Sequence, residues 1–77
     1  MDISIEYCMQ WNYESRALSL RDELSDLFGI NSELIESGGG VFEIKANHHL
    51  IFSKKQLGRF PEEKEISNLI KGIEEVT

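Results

Sequence analysis

Apolar residues in the first 30 positions change from a spacing of two to spacings of three and four. Residues 3–7 (Ile-Ser-Ile-Glu-Tyr) alternate strictly, which predicts a strand with one buried and one solvated face. From Asn12 to about Phe28 the apolar spacing is that of an amphipathic helix, with Asn12 in position to cap it and Gly29 to end it. The stripe consists of Ala17, Leu20, Leu24, Leu27 and Phe28.

The second half of the chain predicts three more strands and one more helix. Residues 31–37 have few apolar positions and fit a short edge strand. Residues 41–45 alternate between apolar and polar side chains and predict a strand. Residues 46–49 are predicted to be a turn, and 50–53 the return strand of a hairpin. Residues 54–60 are predicted as a loop, and Pro61 then stands at the first position of a final helix. Its core face is marked by Ile66, Leu69, Ile70, Ile73 and Val76.

The element order is therefore β-α-β-β-β-α, an α/β (more narrowly α+β) arrangement in a single domain over residues 1–77. A strand, a helix and a second strand with short joins predict a right-handed parallel crossover. Both helices are amphipathic and the clearest strands have one polar face. We therefore expect two layers, with a four-stranded mixed sheet, both helices on one of its faces and solvent on the other.

Charge and cysteine content narrow the function classes. The net charge of −6 argues against non-specific nucleic-acid binding, because phosphates are repelled. No apolar run approaches the ~20 residues of a membrane span. A lone cysteine excludes an internal disulfide, and no apolar leader follows the initial Met-Asp, so we expect a cytoplasmic protein that does not engage membranes.

The lone cysteine, Cys8, lies where the first strand passes into the first helix. The positive end of a helix dipole favours thiolate over thiol, with Arg16 as a further cation that can assist. Trp11 opposes this effect if its indole folds over the sulfur, because burial raises a thiol pKa by up to several units. A helix end contributes only about 1 kcal/mol or less when exposed. The direction of Trp11 thus separates a reactive thiol from an inert one.

Two other sequence features have simple structural interpretations beside functional ones. Gly38-Gly39-Gly40 is followed by a strand, without the residues of a nucleotide motif, so a turn with positive φ is favoured over a phosphate cradle. His48 and His49 are adjacent at a hairpin tip and have no acidic or thiol residue close in sequence. A solvated turn is favoured there, and no metal site is predicted.

Several short segments, in order and spacing, resemble the selenoprotein W-like family, also called the Rdx family. They are Ile-Glu-Tyr-Cys after residue 4, Ser-Arg-Ala at 15–17, Gly-Gly-Val-Phe-Glu-Ile at 39–44, Ser-Lys-Lys at 53–55 and Gly-x-Phe-Pro at 58–61. The resemblance covers about residues 3–73. It implies a thioredoxin-like fold in which the first strand is central, and a Cys-x-x-Cys or Cys-x-x-selenocysteine motif at the end of that strand.

Cys8 matches the first position of the family motif, but its second redox position is occupied by Trp11. The resemblance therefore stops at Cys8, and no two-cysteine activity is carried over. We expect a thiol redox role with one sulfur, in which an external thiol resolves the oxidised cysteine; glutathione is the expected co-substrate, with a protein thiol or disulfide as the alternative partner, and no bound cofactor is expected. The basic run Lys54, Lys55 and Arg59 is the expected holder of a glutathione carboxylate. The alternative is a non-catalytic interaction module on a redox-derived scaffold. Cys8 is the candidate catalytic residue, and the candidate substrate or partner contacts are Trp11, Tyr13, Arg59 and Phe60.

Overall fold

The computed structural model describes residues 1–76, and the side chain of Val76, with its predicted place on the core face, lies outside the described part. Its elements are β1 (Ile3–Cys8), α1 (Tyr13–Phe28), β2 (Glu33–Ser37), β3 (Phe42–Ala46), β4 (His49–Ser53), α2 (Lys54–Leu57) and α3 (Glu65–Val76). The order β-α-β-β-β-α is confirmed, with a four-residue helix, α2, in addition. That helix corrects the predicted loop at residues 54–60.

The four strands form one mixed sheet in the order β2-β1-β3-β4. β1 pairs in parallel with β2, so that Ile5 faces Leu34, and antiparallel with β3, so that Ile5 also faces Ile44. β3 and β4 form the predicted hairpin, with an irregular register between Ile44 and Lys45. β1 is thus the central strand and β2 lies at the edge, as the sequence predicted.

Alternation along the strands builds the core on one face of the sheet. Ile3, Ile5 and Tyr7 of β1 are buried, whereas Ser4 and Glu6 between them are only partly covered. The same cluster includes the inner residues of β3, Phe52 of β4, and the helix residues Ala17, Leu24, Ile66 and Ile70. Both long helices therefore pack on the same face, and the opposite face carries polar strand positions.

The first helix begins and ends near the predicted residues, but not all of its stripe is buried. Gly29 has φ 67° and its N–H donates to the Ser25 carbonyl, which ends α1 as expected. Asn12 has φ 64° and its side chain makes no capping hydrogen bond, so the predicted side-chain cap is wrong. Leu27 is 59% exposed and was wrongly assigned to the core, because the buried face of α1 runs through Ala17, Leu24 and Phe28 and Leu27 lies at its edge.

The last helix begins at Glu65 and not at Pro61, which corrects the predicted start. Lys64 has φ 65°, a conformation that interrupts a right-handed helix between the Pro61 turn and α3. Glu65 Oε1 accepts the N–H of Glu62, so an acidic side chain holds the preceding turn. Leu69, predicted on the core face, is 40% exposed, while Ile66 and Ile70 are buried.

The connection from β2 to β3 crosses the carboxyl end of β1, because β1 lies between the two strands. Gly39 and Gly40 in this connection have φ values of 69° and 71°, which glycine adopts with little steric cost. The predicted positive-φ turn at the three glycines is confirmed. The hairpin turn between β3 and β4 is also confirmed, since Asn47 and His48 both have positive φ and are exposed.

A bidentate ion pair fixes the segment between α2 and α3. Arg59 Nη1 lies 2.7 Å from Glu65 Oε1, and Arg59 Nη2 donates to Oε2 at 3.0 Å. The hydrogen bond from Arg59 is the main cause that lowers the pKa of Glu65 from 4.5 to about 2, followed by the hydrogen bond from the Glu62 N–H. The Arg59 side chain is therefore held by Glu65 at the start of α3.

We expect Arg59→Gln to remove an acid-sensitive part of the stability. The folded-state pKa of Glu65 is depressed, so the pair stabilises fully above a pH of about 4.5 and its contribution is lost as the pH falls towards 2. Urea unfolding should show the largest loss for the variant at about pH 7, and a shrinking loss towards about pH 3. Arg21→Gln, at an exposed pair with the adjacent Asp22, is the control. A loss for Arg59→Gln that is independent of pH would contradict this account.

Candidate functional site

Cys8 is the last residue of β1 and is completely buried. Its N–H donates to the Val41 carbonyl at 2.9 Å, and the N–H of Met9 donates to the Ser37 carbonyl at 3.0 Å. These two acceptors stand at the two ends of the glycine connection. The backbone at the cysteine is therefore tied on one side to β2 and on the other to β3, directly where the connection crosses.

The loop after Cys8 turns its large side chains to the solvent. Trp11 is 72% exposed and Met9 is 55% exposed. Trp11 and Asn12 both have positive φ, 59° and 64°, which gives the loop a sharp bend before α1 starts at Tyr13. The sequence left open whether the Trp11 indole folds over the Cys8 thiol. In the structure the thiol is buried, but the exposed indole is not what covers it.

The glycine connection and the tryptophan loop meet at Gly40. A Cβ added there would lie 3.8 Å from Trp11 Cζ3 and 3.8 Å from the Tyr13 hydroxyl oxygen. These are ordinary van der Waals separations, so a side chain at this position has two aromatic neighbours. The connection that crosses β1 is thus bordered on its outer side by two of the predicted contact residues, Trp11 and Tyr13.

Trp11, Tyr13 and Phe60, three of the predicted contact residues, belong to one aromatic cluster. The rings of Tyr13 and Phe60 are 4.8 Å apart between centroids in an edge-to-face arrangement, and Trp11 lies 6.2 Å from Tyr13. Phe60 also packs edge-to-face on the buried Phe42 at 5.4 Å. The cluster therefore joins the exposed indole to the core of the sheet.

Two cations lie over this cluster. Arg16 Cζ is 4.0 Å from the Phe60 ring centroid, and Lys54 Nζ is 5.3 Å from Phe60 and 5.5 Å from Tyr13. Neither cation has a carboxylate within salt-bridge distance among residues 1–76. Their charges are thus held by aromatic faces and are available to an anion.

Arg59 does not join the cluster. It pairs with Glu65, and its guanidinium lies 5.6 Å from the ring of Phe52. The cations that do reach the site are Arg16, which was predicted to assist Cys8, and Lys54, which belongs to the basic run predicted to hold a glutathione carboxylate. A signal for Arg16 was present, because it follows Tyr13 by three residues and so shares its helix face. The sequence predicted that the segment carrying Lys54 approaches the cysteine loop, but its contacts with Tyr13 and Phe60 depend on the fold.

Tyr7 is a second buried polar side chain of β1. Burial is the main cause that raises the pKa of its phenol above 10.0, and the carboxylates of Glu36 and Glu14 add to the effect. Tyr7 therefore stays protonated at neutral pH and does not provide a phenolate base.

The described part of the chain contains no cluster of three metal-ligating side chains. None of its helices has the length and apolar character needed to cross a membrane.

Comparison with known proteins gives the chain its relatives. Residues 2–72 match the model of the Rdx family. Migration and invasion enhancer 1 from Mus musculus and from Bos taurus are each 37% identical over 70 residues, which cover 90% of this chain. The chain spans only 61% of the length of these relatives.

Two crystal structures share the fold. A selenoprotein W-related protein from Vibrio cholerae superposes with a TM-score of 0.85 at 35% identity, covering 94% of each chain. A protein from Bordetella parapertussis also gives 0.85, at 31% identity, covering 92% of this chain and 94% of its own. The predicted thioredoxin-like α+β fold is thus confirmed, and the chain belongs to the Rdx family of selenoprotein W-like proteins.

Proposed function

We propose that this protein is a single-thiol redox protein in which Cys8 exchanges disulfides with glutathione. The observation that carries the proposal is the position of Cys8, the sole cysteine, at the carboxyl end of the central strand of a selenoprotein W-like fold. The family's second redox position is filled by Trp11, whose side chain is directed to the solvent. An oxidised Cys8 therefore has no internal partner and needs an external thiol.

The proposed cycle has two exchange steps. The Cys8 thiolate attacks the glutathione sulfur of a glutathionylated protein, which forms the Cys8–glutathione disulfide and releases the substrate thiolate. The thiolate of free glutathione then attacks the glutathione sulfur of that mixed disulfide. Oxidised glutathione leaves and the Cys8 thiolate is restored. The net exchange consumes one free glutathione thiol: the substrate disulfide becomes a thiol, and the disulfide of oxidised glutathione takes its place. Such a cycle belongs to a reducing compartment, and the proposal includes a cytoplasmic location.

Access to the sulfur requires a local movement, because Cys8 is completely buried. The segment best suited to move is the glycine connection, which meets β1 through the Val41 and Ser37 carbonyls. Gly38 and Gly39 have no atoms within 4 Å of where a Cβ would lie, so the connection has free space around it. We propose that this connection opens to admit the substrate disulfide.

Arg16 and Lys54 are the proposed holders of the glutathione carboxylates. Both lie within 5.3 Å of the centroid of one ring, Phe60, and neither is paired with an acid in the described chain. A guanidinium binds a carboxylate through two parallel hydrogen bonds, and an ammonium adds a point charge. Arg59, which the sequence grouped with Lys54 and Lys55 for this role, is paired with Glu65.

Incubation with oxidised glutathione should give a single glutathione adduct on intact wild-type protein and none on Cys8→Ser. The double variant Arg16→Gln and Lys54→Gln should form the adduct about tenfold more slowly, because both carboxylate partners are lost. Intact-protein mass spectrometry over time measures the rate.

The matched control for the double variant is Lys45→Gln together with Lys71→Gln, which removes equal charge at exposed positions away from the aromatic cluster. Adduct formation at the wild-type rate in both double variants would contradict the proposed carboxylate site. No adduct on the wild type, in protein whose Cys8 can still be alkylated, would remove glutathione as the partner.

The strong exposure of Trp11 favours a second candidate function, that of a protein-interaction module. An indole that is 72% exposed, beside a 55% exposed Met9, is an apolar contact on a loop, and tryptophan is enriched among residues that dominate binding energy. In this alternative the buried Cys8 is a core residue and the loop provides the binding surface.

Capture of a binding partner separates the two functions. In the interaction module, Trp11→Ala should weaken retention of the partner by about tenfold or more, and Cys8→Ser should not. Leu57→Ala, which removes another exposed apolar side chain, is the control. Retention that depends on Cys8 and disappears under reducing conditions would instead indicate a mixed disulfide and the redox function.

A further inference from the structure

Strand β2 forms one edge of the sheet, and the backbone groups on its outer side are free. The Ser37 carbonyl accepts the Met9 N–H, so the backbone of Ser37 faces β1. Residues whose backbone faces the same neighbour alternate along a strand, so Leu34 and Glu36 direct their N–H and C=O groups away from β1. These four groups have no hydrogen-bond partner among residues 1–76. They can therefore pair with one further strand.

The edge at β2 lacks the features that protect the other edge of the sheet. The pairing of β4 with β3 is irregular between Ile44 and Lys45, and β4 runs directly into α2. β2 pairs with β1 without an irregularity along its whole length, and it contains neither proline nor lysine. Irregular pairing, proline and lysine are common means by which proteins keep an edge strand from pairing. Of the two edges, β2 is therefore the one on which a partner strand fits.

The side chains of β2 determine which strand fits. Ile35 is 38% exposed on the open face of the sheet, and the exposed Glu33 lies on the same face. Glu36 is exposed on the helix face, where its carboxylate and that of Glu14 help to raise the pKa of the Tyr7 phenol. None of these carboxylates has a cation within salt-bridge distance in the described chain. A strand laid along β2 thus meets an uncompensated acid on each of its two faces.

We propose that β2 receives an extended basic segment of another protein as a fifth strand of the sheet, antiparallel to β2. The backbone of this segment exchanges N–H···O bonds with Leu34 and Glu36. Its lysines or arginines lie beside Glu33 and Glu36, and an apolar side chain covers Ile35. A second copy of this chain does not suit the edge, because it would bring the same acids and its own net charge of −6. The outer edge of β2 faces away from β1 and Cys8, and it takes no part in the proposed redox cycle.

A capped hexapeptide with the sequence serine-lysine-valine-threonine-lysine-serine tests the proposal, by titration into the isotope-labelled full chain. In the antiparallel register its two lysines stand opposite Glu36 and Glu33, and its valine stands opposite Ile35. Saturable amide chemical shifts should centre on residues 33–37. Hydrogen exchange of the Leu34 and Glu36 amides should slow, because the peptide carbonyls accept these two N–H groups.

Two N-methylated forms of the peptide test the backbone pairing on the wild-type protein. N-methylation of the threonine removes an N–H that faces β2 and should weaken binding by about tenfold or more. N-methylation of the valine removes an N–H that points away from β2 and should change the affinity by less than about twofold. Equal affinities for the two methylated peptides would overturn the proposal.

Charge variants test the choice of a basic partner. Glu33→Gln together with Glu36→Gln should weaken binding of the lysine peptide by about tenfold at low salt. Asp26→Asn together with Glu63→Gln removes equal charge between the helices and should bind like the wild type. Cys8→Ser should also bind like the wild type, which separates this edge from the redox function.

Three results would contradict the proposal. They are equal affinities in the two double variants, shifts that centre on the β4 edge, and β2 shifts that grow with protein concentration in the absence of peptide. The last of these would indicate that a second copy of the chain occupies the edge.

Discussion

The connection between β2 and β3 has to cross the carboxyl end of β1, because β1 lies between these strands in the sheet. The crossing brings backbone within hydrogen-bond distance of Cys8 and Met9 and requires φ values near 70° at Gly39 and Gly40. The backbone hydrogen bonds at the only cysteine and the position of the three glycines are thus parts of one topological arrangement. The loop that continues from β1 places Trp11 in solvent.

The aromatic cluster links this crossing to the rest of the molecule. Phe60 packs on the buried Phe42 and on Tyr13, while the Arg59–Glu65 pair fixes the segment that carries it. Arg16 and Lys54 are consequently held over aromatic rings without a carboxylate among the described residues. An acidic protein thereby keeps two positive charges beside the aromatic cluster that includes Trp11 of the cysteine loop, where the proposed glutathione would approach.

The sequence was sufficient to predict the order of strands and helices, because the local patterns agree with the fold. The alternation in residues 3–7 predicted β1, the three-four spacing predicted α1, and Gly29 marked its end. Errors arose where a contact between distant residues overrides a local preference. Pro61 is a favourable helix start, yet Lys64 with φ 65° separates it from α3 while Glu65 holds the turn through the Glu62 N–H. Local periodicity cannot show this.

The candidate site was predictable only in part, because local patterns show residue types and places but not all contacts between distant segments. Trp11, Tyr13 and Phe60 were selected as contacts from their residue types and places, and the fold brings them together. The engagement of Arg59 by Glu65, and the approach of Lys54 to Tyr13, depend on how three segments pack. A buried Cys8 beside an exposed Trp11 was not among the arrangements that the sequence distinguished, because the sequence linked burial of the thiol to the indole alone.

The rate of alkylation of Cys8 in loop variants tests the central claim most directly. Gly39→Ala places a Cβ on a residue with φ 69°, which costs about 1 kcal/mol or more and should weaken the closed connection, whereas Gly38 has no positive φ and equal free space. The account predicts slow alkylation of the native wild type, a rate about fivefold to tenfold higher for Gly39→Ala, and no change for Gly38→Ala, with the fold of all three intact. A wild-type rate equal to that of the urea-unfolded chain, or identical rates in all three proteins, would contradict it.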